Sequence, residues 1–504
     1  MLTNILEYLE NSAIKYPEKV AFSTGKEDMS FGELYNSARS VGSFVCDTLG
    51  EIRRPVVIFM DKHPKTVAAF FGVIYSGNFY VCLDEKMPDA RILSILESLD
   101  ARLIIADKKE NFERAVSLAP DAQVVLYDDI SSYEINDAAL SAIRESQIDT
   151  DPIYVVFTSG STGVPKGVVA CHRSVIDYTE HLSQALGFSH ETVFANQTPL
   201  YFDAPLKEIM PTLKFGATTY FVPKVCFSFP VKLIEYLNQY KINTVCWVVS
   251  AFVQVSSLGA LDKFRPEYLT TVAFGSEVFP KNQYKIWREA LPNARFFNLY
   301  GPTEATGMSC FWEATRELDV EEPIPIGKPF KNTRIYLIDE GREVARGESG
   351  EICIGGTCLT MGYYNDRERT NEAFVQNPTN TAFPELLYRT GDIGRYNEYG
   401  ELVFVCRRDS QIKHMGHRIE LGEIESAALK CDGVSRAICL YDAEDKRIVL
   451  FYVGAPDDKE LSAYLGGLLP RYMMPAAIKH LPTMPLTDNG KIDRRYLREN
   501  LIKE

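Results

Sequence analysis

Two rhythms of apolar and polar residues alternate along most of the chain. Short continuous apolar runs mark strands buried on both faces, and stretches with apolar residues three and four apart mark amphipathic helices. Pro55–Met60 predicts a buried strand, and Thr66–Tyr75 a helix that stops at Gly77. Phe79–Leu83 predicts a strand, Ala90–Leu99 a helix and Arg102–Ala106 a further strand. This alternation predicts βαβ units and largely parallel sheets with flanking helices. From Arg334–Ile338 to Gly350–Ile354 strands succeed one another without helices, which predicts a small β subdomain. Beyond about residue 410 the pattern changes again. Glu420–Lys430 and Lys459–Leu468 predict helices, with strands at Ser435–Tyr441 and Arg447–Val453 between them. The expected fold is therefore α/β, a large N-terminal domain followed by a small C-terminal α+β domain.

With 504 residues, 46% of them hydrophobic, the chain can fill two or more cores. Lys and Arg total 54 against 68 Asp and Glu, a net charge of −14. That balance argues against a nucleic-acid partner, whose phosphates are held by clustered cations. It leaves room for a nucleotide or an acidic partner at a local basic patch. No apolar run reaches the roughly 20 residues of a membrane span, and the start lacks a basic segment followed by an apolar one. The 11 Cys are odd in number and never spaced C-x-x-C, and Cys82, Cys246, Cys353 and Cys439 sit in apolar runs as small hydrophobes. A reducing cytoplasm is expected, without membrane insertion, zinc or a disulfide framework.

The most informative stretch is Tyr154-Val-Val-Phe-Thr-Ser-Gly-Ser-Thr-Gly-Val-Pro-Lys-Gly167. An apolar run delivers the chain into a loop of small and hydroxyl residues closed by Lys166. Small residues let backbone N–H groups approach a polyanion, hydroxyls add donors and the Lys adds countercharge. It is not a Walker A loop, because Gly167 rather than Ser or Thr follows Lys166. A flexible surface loop is the plain alternative, but ten such residues directly after a strand favour phosphate binding.

Thr158–Gly167 resembles the phosphate loop of the adenylate-forming superfamily of acyl-CoA ligases, luciferases and peptide-synthetase adenylation domains. The superfamily's other motifs follow in order: Asn298-Leu-Tyr-Gly-Pro-Thr-Glu304, Tyr388-Arg-Thr-Gly-Asp392, the hinge region Arg407–Glu425, and Asn489-Gly-Lys-Ile-Asp493. The resemblance implies ATP and Mg²⁺ as cofactors and a carboxylate joined to the α-phosphate of ATP with loss of pyrophosphate. Two anions must meet, so cations are needed where charge builds up. By resemblance Thr158, Ser159, Gly160, Ser161, Thr162, Gly163 and Lys166 cradle the phosphates. Asn298, Tyr300 and Gly301 belong to the nucleotide motif, with the Tyr300 ring against adenine. Thr303 contacts the α-phosphate and Glu304 helps to hold Mg²⁺. Asp392 accepts hydrogen bonds from the ribose hydroxyls, assisted by Arg407. Lys491 reaches the acyl carboxylate and α-phosphate. Asp409 is the implied hinge between an adenylation domain over 1–408 and a mobile domain over 409–504. Rotation there withdraws Lys491 and brings Gly416 to the site for attack by a thiol. Cys406 stands where the superfamily usually has Gly, a departure that β-type torsions tolerate.

Pro199–Glu208 resembles the segment with which peptide-synthetase adenylation domains hold the α-ammonium of an amino acid, which places Asp203 in that role. The alternative is that Asp203 caps the following helix. The implied pocket is lined by Ala204, Lys207, Trp247, Val272, Phe274, Leu299, Gly307 and Met308. The bulk of Trp247, Phe274 and Met308 favours a small side chain. Lys207 either pairs with an acidic side chain or points into solvent. The chain is similar overall to D-alanine–carrier protein ligases, although Phe274 replaces a Cys common in that family. The expected function is activation of a small amino acid such as D-alanine, then transfer to the phosphopantetheine thiol of a carrier protein. That carrier is expected to be separate, since only 11 residues follow Asp493. His414, His417, Arg418, Arg471, Arg494, Arg495 and Arg498 form an expected basic edge for an acidic carrier. An acyl- or aryl-CoA ligase with a structural Asp203 is the alternative. A non-catalytic nucleotide sensor would have no use for Lys491.

Overall fold

The continuous apolar runs become the central strands of parallel sheets. The computed structural model describes residues 2–160, 165–319, 322–408, 411–487 and 492–503. Pro55–Phe59, Phe79–Cys82 and Leu103–Ala106 are buried at every position. They belong to a sheet ordered Gln123–Leu126, Leu103–Ala106, Pro55–Phe59, Phe79–Cys82, Pro152–Thr158, Lys166–Cys171, whose first five strands pair in parallel. The expected helices form at Pro64–Tyr75 and Asp89–Leu99. Proline at the start of the first helix suits a position whose N–H needs no partner.

Among the described residues a second sheet has nine strands, and six of them run parallel: Val20–Ser23, Thr218–Phe221, Val193–Asn196, Thr244–Val248, Thr271–Gly275 and Arg295–Tyr300. Successive side chains of a strand point to opposite faces, so each strand feeds two cores. Cys246, Ala273, Phe297 and Leu299 pack on one face with Met210 and Leu213 of the helix Leu206–Phe215. Val245, Trp247, Val272, Phe274 and Phe296 pack on the other with Phe252 and Trp287. The expected β subdomain is an antiparallel sheet that includes Thr333–Asp339, Gly350–Gly356, Leu386–Tyr396 and Leu402–Arg407. Cys406 lies within the last of these strands, in the extended conformation that any residue adopts.

The chain divides into two compact units. The first comprises Met1–Asp84, Asp100–Val156 and Gly167–Arg408. The second comprises Glu85–Leu99, Phe157–Lys166 and Asp409–Glu504. Within the second unit, Val434–Asp442, Arg447–Gly454 and Ala477–His480 form a three-stranded sheet, with helices Leu421–Leu429 and Asp458–Gly466. A hairpin, Gln411–His414 with His417–Glu420, turns at Met415 and Gly416. Both turn residues have positive φ, 51° and 80°, as a two-residue hairpin requires.

Candidate active site

In the first unit, parallel strands align their carboxyl ends along one sheet edge, the usual place for ligands in α/β folds. Asn196, Val248, Gly275 and Tyr300 close their strands at that edge. Asp203 enters from the segment after Asn196. The helix that follows, Leu206–Phe215, has Pro205 as its N-cap and no side-chain cap bond. The Asp203 carboxylate is therefore free of the capping role. Burial pushes its carboxyl above the usual range, while the neighbouring Thr303 hydroxyl and the Lys207 charge oppose the rise.

Lys207 is 3% exposed. Next to it Glu208 is 0% exposed. Burial raises the Glu208 carboxyl to about 8 against the opposing charges of Lys207 and Lys62. Lys62 Nζ donates to the carbonyls of Asn196, Gln197 and Val222 at 3.3, 3.2 and 3.3 Å. Burial pulls that amine down to about 7. Neither Glu208 nor Lys62 stands out in the sequence, since their partners come from distant segments. The only local signal is an acid inside the apolar stretch Leu206–Leu213.

Of the implied pocket residues, Trp247, Val272 and Phe274 join the aromatic core on one sheet face. Trp247 Nε1 donates to the Ala195 carbonyl at 2.6 Å, and the Phe274 ring lies 5.0 Å from Phe279. Leu299 and Met308 belong to the core on the other face. Gly301 leaves no room for a side chain, because a Cβ there would lie 2.5 Å from the Met308 backbone. Gly307 has φ +81°, and a Cβ there would lie 3.5 Å from the Tyr178 ring.

Nucleotide-motif residues are knitted to the β subdomain. Tyr300 Oη donates to Asp392 Oδ2 at 2.6 Å, and Arg407 Nη1 donates to Asp392 Oδ1 at 2.6 Å. Cross-strand register sets the second contact, because Asp392 stands opposite Arg407. Burial, then the Asp392 charge, drives the Tyr300 phenol well above its usual range. Asn298 Nδ2 donates to the Pro325 carbonyl at 2.8 Å. Glu304 is wholly buried, and one of its carboxylate oxygens accepts from Tyr363 Oη at 2.9 Å. The motif spacing gives no sign of Tyr363.

Within the second unit, Thr158 is buried, and its hydroxyl makes no hydrogen bond among the described residues. Ser159 Oγ donates to the Arg418 carbonyl at 2.9 Å and accepts from the Glu420 N–H at 3.3 Å. The Gly160 N–H donates to Glu423 Oε2 at 3.2 Å, and Arg91 pairs with the same carboxylate. Glu423 thus presents negative charge to a phosphate-loop N–H, the interaction a phosphate would make. Ser161, Thr162, Gly163, Asp409 and Lys491 lie outside the described residues. Part of the expected basic edge is neutralised locally: Arg494 pairs with Glu425 at 3.6 Å and Arg495 with Glu499 at 2.9 Å. His417 stacks on Tyr472 with ring centroids 3.7 Å apart.

The AMP-binding enzyme family matches residues 9–364, and its C-terminal domain matches residues 423–491. The chain spans less than half the length of the first curated relatives it matches, among them tyrocidine synthase 1 of Brevibacillus parabrevis, 29% identical over 98% of this chain and 45% of that protein. D-alanine–D-alanyl carrier protein ligase of Bacillus licheniformis is 29% identical, with 99% of each chain covered. The Vibrio cholerae adenylation domain AlmE, solved with glycyl-adenosine-5'-phosphate, shares the fold at TM-score 0.85 and 19% identity, covering 100% of this chain and 98% of its own.

Proposed function

Because the chain belongs to the AMP-binding enzyme family, we propose that it activates an amino acid with ATP and passes the aminoacyl group to the phosphopantetheine thiol of a separate carrier protein. Asp203 carries this reading. Its carboxylate sits beside Thr303, is released from helix capping and is partly shielded from water, so a substrate ammonium is its natural counterion. A plain fatty or aryl acid would leave that carboxylate unanswered, which disfavours an acyl- or aryl-CoA ligase. Similarity to a D-alanine–carrier protein ligase over the full length supports a small amino acid and a carrier as acceptor. The proposed place of action is the cytoplasm, which suits the free cysteines. No helix among the described residues is long and apolar enough to cross a membrane.

Each unit by itself offers groups suited to part of ATP. Within the second, Thr158 has a buried hydroxyl available to a phosphate oxygen; within the first, Asp392, held by Tyr300 and Arg407, has a fixed carboxylate available to a ribose. Among the described residues no cluster of three or more His, Cys, Asp or Glu forms a metal site. Mg²⁺ bound through Glu304 would take its other ligands from phosphate and water, as this ion commonly does. When bound, it would neutralise charge on the phosphates. In this reading Lys491 serves adenylation, Asp409 is the pivot between domains 1–408 and 409–504, and Gly416 serves thiol transfer.

The test is to compare loading of a phosphopantetheinylated carrier protein with loading of free CoA. The carrier should be much the better acceptor, and preference for CoA overturns the proposal.

A further inference from the structure

Lys62 lies outside every sequence motif, yet it is fastened to the segment that carries Asp203. It follows the strand Pro55–Phe59 at the carboxyl edge of the first sheet. Its amine donates to the carbonyls of Asn196, Gln197 and Val222. An ammonium has three N–H donors, and these three carbonyls take them. Asn196 closes the strand Val193–Asn196, and Val222 directly follows the strand Thr218–Phe221. Lys62 therefore ties the carboxyl edge of the first sheet to that of the second.

Two of the three carbonyls open the loop in which Asp203 stands. The Asn196 carbonyl also accepts from the Val222 N–H at 3.0 Å. The Asn196 side chain donates across the base of the loop to Glu208 Oε2 at 3.4 Å, and both residues are 0% exposed. Glu208 lies in the first turn of the helix Leu206–Phe215. Residues 197–207 are thus closed at their base, with Asp203 between two fixed ends. Desolvation disfavours the Lys62 charge and pulls the amine down to about 7, a perturbation typical of groups at functional sites.

We propose that Lys62 is a positioning residue for the amino-acid substrate. By pinning the Asn196 and Gln197 carbonyls it fixes the entry of the Asp203 loop, and so sets where the Asp203 carboxylate meets the substrate ammonium. The proposal rests on the amino-acid reading of Asp203 and adds a residue that acts through it.

The test is a double-mutant cycle read by ATP–pyrophosphate exchange. Wild type, Lys62→Met, Asp203→Asn and the double variant are compared with alanine and with propionate, each checked for folding by circular dichroism. In the wild-type background Lys62→Met should lower the alanine-to-propionate ratio of kcat/KM roughly 10- to 100-fold, the cost of misplacing a positioning group by about 1 Å. The KM for ATP should not change. In the Asp203→Asn background the same substitution should leave the ratio unmoved, because residues that act through one another are not additive. An unmoved ratio in Lys62→Met, equal losses in both backgrounds, or a KM for ATP that rises alongside overturns the proposal and leaves the amino-acid reading standing. Wild-type exchange driven as well by propionate as by alanine removes that reading, and the Lys62 proposal with it. If Lys62→Met does not fold, Lys62→Gln, whose amide keeps two donors, takes its place in the cycle, and the same outcomes decide.

Discussion

Replacing Tyr300 by Phe removes a single oxygen atom and probes the ribose side of the site. The lost hydroxyl donates to Asp392 Oδ2 at 2.6 Å from a ring that is 6% exposed. Arg407 remains on Oδ1 at 2.6 Å. A hydrogen bond to an ionised group contributes about 1.5–3 kcal/mol. Because Asp392 keeps its guanidinium, the loss should fall in the lower half of that range, about 2 kcal/mol. Urea unfolding should show a lower midpoint at an unchanged slope, since the exposed surface does not change. A double-mutant cycle with Asp392→Asn should return a coupling of about 1.5–2 kcal/mol. The carboxylate would also be held less firmly for the ribose. The KM for ATP in pyrophosphate exchange should rise roughly tenfold, worth about 1.4 kcal/mol, with kcat little changed because uniform binding is what is lost. A coupling below about 0.5 kcal/mol with wild-type KM would refute the account, because the clamp would then hold nothing.

Lys491→Ala should slow adenylation about 10²–10³-fold, the usual worth of a group aimed at developing charge, and spare thiol transfer from a supplied adenylate. Equal losses in exchange and in single-turnover loading would count against its alternating role. Asp203→Asn should abolish discrimination between an amino acid and its deamino analogue, a difference of about 3–5 kcal/mol when a buried charge loses its partner. Competition between alanine and propionate in the exchange assay checks this. Glu208 holds a proton up to about pH 8 in the folded chain but loses it near 4.5 when unfolded. Its contribution to stability therefore falls as pH rises from about 4.5 to 8. Glu208→Gln should gain on wild type between pH 5 and pH 7 in urea unfolding, and the same difference at both pH values would contradict the assigned burial.

The element pattern was legible because a strand buried on both faces must be apolar throughout. Pro55–Phe59 and Leu103–Ala106 have no polar position to disguise them. The α+β tail was legible for a similar reason, with Val434–Asp442 and Arg447–Gly454 joined by a short polar turn. Motif spacing named Tyr300, Glu304 and Asp392 as candidates but not the contacts they make. Tyr300 and Asp392 are 92 positions apart, as Glu304 and Tyr363 are 59. Periodicity constrains neighbours within a turn or a strand and says nothing about which distant hydroxyl meets a given carboxylate. Lys62 and Glu208 were hidden in the same way, since burial that shifts both depends on packing from several segments.

The measurement that tests the central claim most directly is exchange of labelled pyrophosphate into ATP by the purified chain with Mg²⁺, comparing α-amino acids with fatty and aryl carboxylates. Exchange that requires an α-amino acid and stays at background with the other acids is the predicted result. Exchange driven by fatty or aryl acids, with amino acids inert, would contradict the role given to Asp203 and with it the proposed function.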